Sequence, residues 1–148
     1  MDFYAEALPF EYDGITRRVN RIKKINAAID SLPEVEASPS DLARKVTLLN
    51  TMQGVIGELY SQAVYDYGIA YNMRKEKQAM YERSYYGTIK EKEAYAEENI
   101  KKERTAEVRA ESEMKRWEKA YNSTEMLANA IKHELSVLSD EMRAGGRT

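Results

Sequence analysis

Between residues 42 and 81, Leu42, Val46, Leu49, Gln53, Ile56, Tyr60, Ala63, Tyr67, Ala70, Arg74, Lys77 and Tyr81 fall at alternating spacings of four and three. Such a heptad puts all of these side chains on one narrow stripe of an α-helix, and the stripe leaves water only against another helix. The stripe is apolar at first and polar later. No proline follows Pro39, so nothing in the rest of the chain removes a backbone donor and breaks a helix. A chain so patterned is constrained to an all-α fold of long helices.

The partner stripe lies further along. Met114, Trp117, Tyr121, Thr124, Ala128, Ile131, Leu135, Leu138 and Met142 repeat with the same alternation. Between the two stripes, Tyr85-Tyr86-Gly87-Thr88 reads as a reversal, with Gly87 as a helix C-cap and Thr88 with Glu91 as a capping box for the next helix. The expected architecture is a long antiparallel hairpin of two helices, 39–86 and 88–143, each roughly 70–80 Å long at about 1.5 Å per residue. Gly54, Gly57 and Gly68 weaken the first of these by about 1 kcal/mol each relative to alanine, a cost explained if they permit close helix approach or a bend. Residues 144–148 form a frayed tail.

Upstream, Ile15, Val19, Ile22, Ile25, Ile29 and Leu32 mark a shorter helix over 15–32, ended by Pro33. It joins the strong ends of the hairpin to give a three-helix base with a polar hairpin tip, all within one domain. Ser38-Pro39-Ser40-Asp41 is a helix start: a capping serine, a proline suited to the first position and an acid near the positive end of the helix dipole. Residues 1–14 lack periodicity and read as an acidic arm. Its Phe3, Tyr4, Leu8, Phe10 and Tyr12 can dock on a helix or a neighbouring subunit, and Asp13-Gly14 reads as a turn.

Several functions are excluded by what is missing. There are no cysteines, hence no disulfides, zinc–thiolate sites or thiol catalysis. His133 is the single histidine and has no partner for a metal site. The glutamates Glu93, Glu97, Glu98, Glu103 and Glu107 alternate with Lys101, Lys102, Arg104 and Arg109, which reads as an exposed, salt-bridged face rather than a metal cluster. No phosphate-binding glycine loop or nucleophile motif occurs. No enzyme activity, cofactor or metal is expected. The first residues lack the basic start of a secretion signal and no apolar run approaches a membrane span, so the expected setting is the cytoplasm.

The formal net charge is −2, so any affinity for polyanions must come from a local patch. Two candidates stand out. Arg17, Arg18, Arg21, Lys23 and Lys24 lie mostly off the apolar stripe of the first helix and are opposed there only by Asp30, an arrangement suited to several phosphates at once. Equally, they can form a solvated face paired with the acidic linker 33–38 or another subunit. The second candidate is aromatic. Seven of the eleven tyrosines lie between Tyr60 and Tyr86, interleaved with Arg74, Lys75, Lys77 and Arg83. Stacking rings plus cations hold single strands without sequence readout. Tyr60, Tyr67, Tyr71, Tyr81 and Tyr85 also suit the helix seam, which leaves Tyr65 and Tyr86 freer to act. Trp117, at a heptad position, reads as core.

The order of features adds a resemblance. The basic run Arg74-Lys75-Glu76-Lys77-Gln78-Ala79-Met80-Tyr81-Glu82-Arg83 leads into Tyr85-Tyr86-Gly87. A charged insert follows, then an amphipathic helix from Lys115-Arg116-Trp117 through Ser123 to Ala130-Ile131-Lys132-His133. Over residues 56–138 this resembles the bacteriophage UvsY-type recombination mediators. The resemblance implies a small helical homo-oligomer that binds single-stranded DNA and helps load a recombinase, in the host cytoplasm if phage-encoded. By position it implies DNA contacts at Lys77 and Arg83, and self-association through the helix carrying Trp117, Tyr121, Ile131, Leu135 and Leu138. A different class of function fits the same chain: a helical protein–protein module, such as a phage inhibitor of a host defence enzyme or a scaffold.

Overall fold

The computed structural model describes the backbone of residues 3–146, with side chains from residue 14 onward. The described chain is all-α. It contains α1 (Phe3–Asp30), α2 (Pro39–Ser84), α3 (Ile89–Asn99) and α4 (Lys101–Gly145). The chain divides into two compact units, Met1–Leu59 with Lys119–Thr148, and Tyr60–Glu118.

The first unit joins α1, the first half of α2 and the second half of α4. Its core holds Ile25 of α1, Leu42, Leu49, Met52, Val55, Ile56 and Leu59 of α2, and Thr124, Ala128 and Ile131 of α4. Leu49 is almost completely buried, at 1% exposure. Of the three glycines in α2, only Gly57 permits a close approach: a Cβ there would sit 3.2 Å from the Tyr121 ring, whereas Gly54 and Gly68 face open space. The Arg18 guanidinium donates to Glu58 at 2.6 Å, joining α1 to α2.

α1 begins at Phe3, not at Ile15, and runs without a break through Asp13-Gly14, so the expected arm and turn are replaced by helix. The apolar residues of 1–14 are irregular in spacing, so no periodic stripe marks the true start of the helix. The side chains proposed to dock from that segment lie outside the described residues. At its other end α1 stops at Asp30, ahead of Pro33. The Ser31 and Leu32 amides still donate to Ala27 and Ile29. In the linker, Glu36 takes a left-handed backbone conformation (φ 57°). The start of α2 is capped as the sequence indicates: the Asp41 amide donates to Ser38 Oγ, and the Ser38 amide and hydroxyl donate to the Asp41 carboxylate.

The second unit contains the rest of α2, α3 and the first part of α4. Arg74 of α2 meets Glu107 of α4, and Tyr81 and Tyr85 meet Tyr95 of α3. Residue numbers rise along α2 as they fall along its partner, so the pair is antiparallel. The turn falls where expected. Thr88 caps α3, accepting from the Glu91 amide while its own amide donates to Glu91 Oε2. Gly87 is not left-handed, however, since no described glycine has positive φ. Its need is space: a Cβ there would lie 2.9 Å from the Tyr85 ring and 2.6 Å from the Glu91 carboxylate.

The helix expected over 88–143 is interrupted at Ile100, where φ −104° and ψ 16° depart from helical values. Hydrogen bonds from the Ile100 amide to Ala96 and from the Arg104 amide to Ile100 bridge the break. Ile100 itself is fully buried. The heptad of α4 also extends further back than its apolar members indicate. Ala96, Ile100, Glu103, Glu107 and Ala110 continue the phase of Met114, and all are buried or half-buried. Two glutamates of the run read as an exposed face therefore point inward. One oxygen of Glu103 is buried without a hydrogen-bond partner.

Candidate nucleic-acid interface

The candidate residues fall into two sets, one in each unit. On α1 an α-helix turns about 100° per residue, so positions i, i+4 and i+7 share a face. Arg17, Arg21 and Lys24 have that spacing and are exposed. Lys23 is exposed on another face. Arg18 is half-exposed and engaged by Glu58. Arg21, Lys23 and Lys24 form no ion pair among the described residues. Leaving three cations unneutralised on one short stretch raises the local potential, although the chain as a whole is slightly acidic.

The second unit sorts its candidates differently. Arg74 lies inward: its guanidinium donates to both oxygens of Glu107 (2.7 and 3.3 Å) and to Gln78 at 3.0 Å, and it sits 5.1 Å from the Tyr71 ring centre. The side chains of Arg74 and Glu107 are only 15% and 13% exposed. Hydrogen bonding to Arg74 holds the Glu107 carboxyl below its ordinary range, and the same bond raises Arg74. Glu97 is lowered in turn by Arg104, which grips it with two nitrogens across the Ile100 break. Lys77 is half-buried at its heptad position. Lys75 is exposed with Nζ 5.2 Å from the Tyr71 ring centre, and Arg83 is exposed.

The α2–α3 turn presents a ring. Tyr86 lies wholly in solvent at 101% exposure, and Ile89 beside it is 76% exposed. Tyr85 is stacked on Tyr95 (centres 4.8 Å apart, 25° between planes), and Tyr81 meets Tyr95 edge-on at 6.1 Å. Tyr95 thus anchors the turn, a role that composition did not reveal. Tyr65 is also exposed, whereas Tyr60, Tyr67 and Tyr81 are half-buried in the seam. An exposed ring next to the capped turn offers a face on which a base can stack.

The residues assigned to self-association lie on the α4 heptad. Ile131 is buried and Tyr121, Leu135 and Leu138 are half-buried within the first unit. Trp117 is half-buried in the second, with Arg116 5.0 Å over its ring. His133 is exposed. Among the described residues no group of acids and histidine is placed to hold a metal ion, and no helix is long and apolar enough to cross a membrane. No family model, curated protein or solved structure matches the chain.

Proposed function

We propose that this protein is a phage-type accessory factor that binds single-stranded DNA, self-associates and helps load a recombinase, acting in the host cytoplasm by binding rather than catalysis. The observation that carries the DNA reading is the exposed, unneutralised set Arg21, Lys23 and Lys24 on α1. Such cations exchange counterions for phosphates, and the entropy of counterion release supplies affinity without sequence readout. Tyr86 at the α2–α3 turn adds a stacking surface, with Arg83 exposed on the last turn of α2. Self-association is supported by apolar side chains left on the outer surface of α4: Met126, Leu127 and Val137 are all exposed. The recombinase step rests on the resemblance of residues 56–138 to the UvsY-type mediators.

A second reading, a helical protein–protein module such as a host-enzyme inhibitor or a scaffold, is favoured by the exposed Ile89 and Tyr86. Tyrosine is among the residues that most often anchor a protein partner, and Ile89 adds exposed apolar surface. One titration separates the two. A labelled strand of about 30 nucleotides should show a large rise in anisotropy at low salt, which falls steeply as salt is added. An absence of change at low salt, where electrostatic attraction is least screened, would leave the protein–protein module standing alone.

A further inference from the structure

In the first unit α4 has two sides. Thr124, Ala128 and Ile131 are buried and mark the inner side. Met126, Ala130, His133 and Val137 follow one another at spacings of four, three and four. At about 100° per residue these four fall on one line, roughly opposite the buried three. All four are exposed, Met126 at 73% and Val137 at 44%. Their alternation is the one by which a helix seats against a second helix. Lys119 continues the line at one end, and Glu141 flanks it at the other. Both are exposed, and neither forms an ion pair among the described residues.

We propose that this line pairs antiparallel with the same line of a second copy of the chain. The inference rests on the self-association in the proposed function and gives it a surface, a direction and a register. Charge supplies the direction. A parallel pair would set Lys119 against Lys119 and Glu141 against Glu141. An antiparallel pair brings Lys119 of each copy within one turn of Glu141 of the other, and two-fold symmetry makes that contact twice. Spacing supplies the register. The order four, three, four reads the same from either end, so the line matches its own reverse. Met126 then faces Val137 of the second copy, and Ala130 faces His133, the small methyl leaving room for the imidazole. Position is the third support. The line lies opposite the core of the unit, so a second α4 seats there without displacing the side chains that α4 buries.

The chain has no cysteine, so single introduced thiols report the pairing directly. Met126→Cys and Val137→Cys proteins, mixed and mildly oxidised, should give a disulfide-linked dimer. Neither variant should link to itself. Like positions would lie roughly 16 Å apart along the axis, beyond the about 7 Å between Cα atoms that a disulfide spans. Lys119→Glu should weaken association about fivefold or more in light scattering, and Lys119→Glu with Glu141→Lys should regain most of it, as two exposed ion pairs allow. Self-linking of either cysteine variant, no link in the mixture, or no recovery in the charge-swapped variant would overturn the proposal. A wild type with the mass of one chain would remove self-association and this interface together. A wild-type oligomer with the wrong cross-links would remove the interface alone.

Discussion

Arg74 shows how one position can be read correctly for its place and still be misjudged for its work. Its heptad phase puts it in the seam, while its charge and tyrosine neighbours recommend it for phosphate binding. In the folded chain its guanidinium is committed to Glu107. Hydrogen bonds to charged groups with little access to water are costly to break, so Arg74→Ala should destabilise the protein by about 1–3 kcal/mol. Chemical denaturation of the two single variants and the Arg74→Ala/Glu107→Ala double variant should give a coupling of about 0.5–3 kcal/mol. The pH dependence has a definite sign. Glu97 and Glu107 have carboxyls held below the ordinary 4.5 in the folded state. Their contribution is therefore full above that value and is lost as pH falls through the lower folded-state value. Thermal melts should lose stability on acidification below about pH 4.5, and Glu107→Gln should flatten that loss. At Glu36 the left-handed backbone penalises a side chain. Glu36→Gly should be neutral or stabilising by up to about 1 kcal/mol, the side-chain strain removed being partly offset by the freer unfolded chain.

At the scale of elements, the stripes of large apolar residues were legible because each repeats a single phase. The α2 seam from Leu42 to Tyr81 is buried or half-buried throughout. Capping was legible for the same local reason: Ser38/Asp41 and Thr88/Glu91 both close as their sequence spacing indicates. Three features were not. The start of α1 has no repeating stripe to announce it. The break at Ile100 has no proline or glycine to mark it. The inward turn of Glu103 and Glu107 is disguised by charge, although extending the phase of Met114 backwards identifies both. These elements differ in what they are worth. Leu49→Ala should cost about 2–5 kcal/mol, since a nearly sealed site cannot collapse around the lost methyls. Thr88→Ala should cost about 1 kcal/mol through loss of the cap. Denaturant midpoints with unchanged slopes would check both.

For the molecule as a whole, the candidate site was only partly legible. Composition and spacing pick out Arg17, Arg18, Arg21, Lys23 and Lys24 as lying mostly off the apolar stripe, and Tyr65 and Tyr86 as the freer rings; Arg17, Arg21, Lys24 and both rings are exposed in the fold. The same signals cannot tell which cations are consumed by partners distant in sequence, as Arg18 is by Glu58 and Arg74 is by Glu107. Self-association belongs to this scale too. Light scattering at micromolar concentration should give a mass above that of one chain. Met126→Asp with Val137→Asp should lower it without lowering the melting temperature, because a charge at an apolar contact is costly only where the contact forms. A wild type with the mass of one chain would remove self-association from the account. The most direct measurement of the central claim is the salt dependence of single-strand affinity in the wild type, in Arg21→Ala/Lys24→Ala and in Tyr86→Ala. Each phosphate contact on a single strand contributes about 0.7 to the slope of log affinity against log salt, so the double variant should bind more weakly with a slope shallower by about 1.4. Tyr86→Ala should weaken binding at an unchanged slope, because stacking releases few counterions. A double variant that keeps the wild-type affinity and slope would contradict the assignment of α1 as the phosphate-binding face.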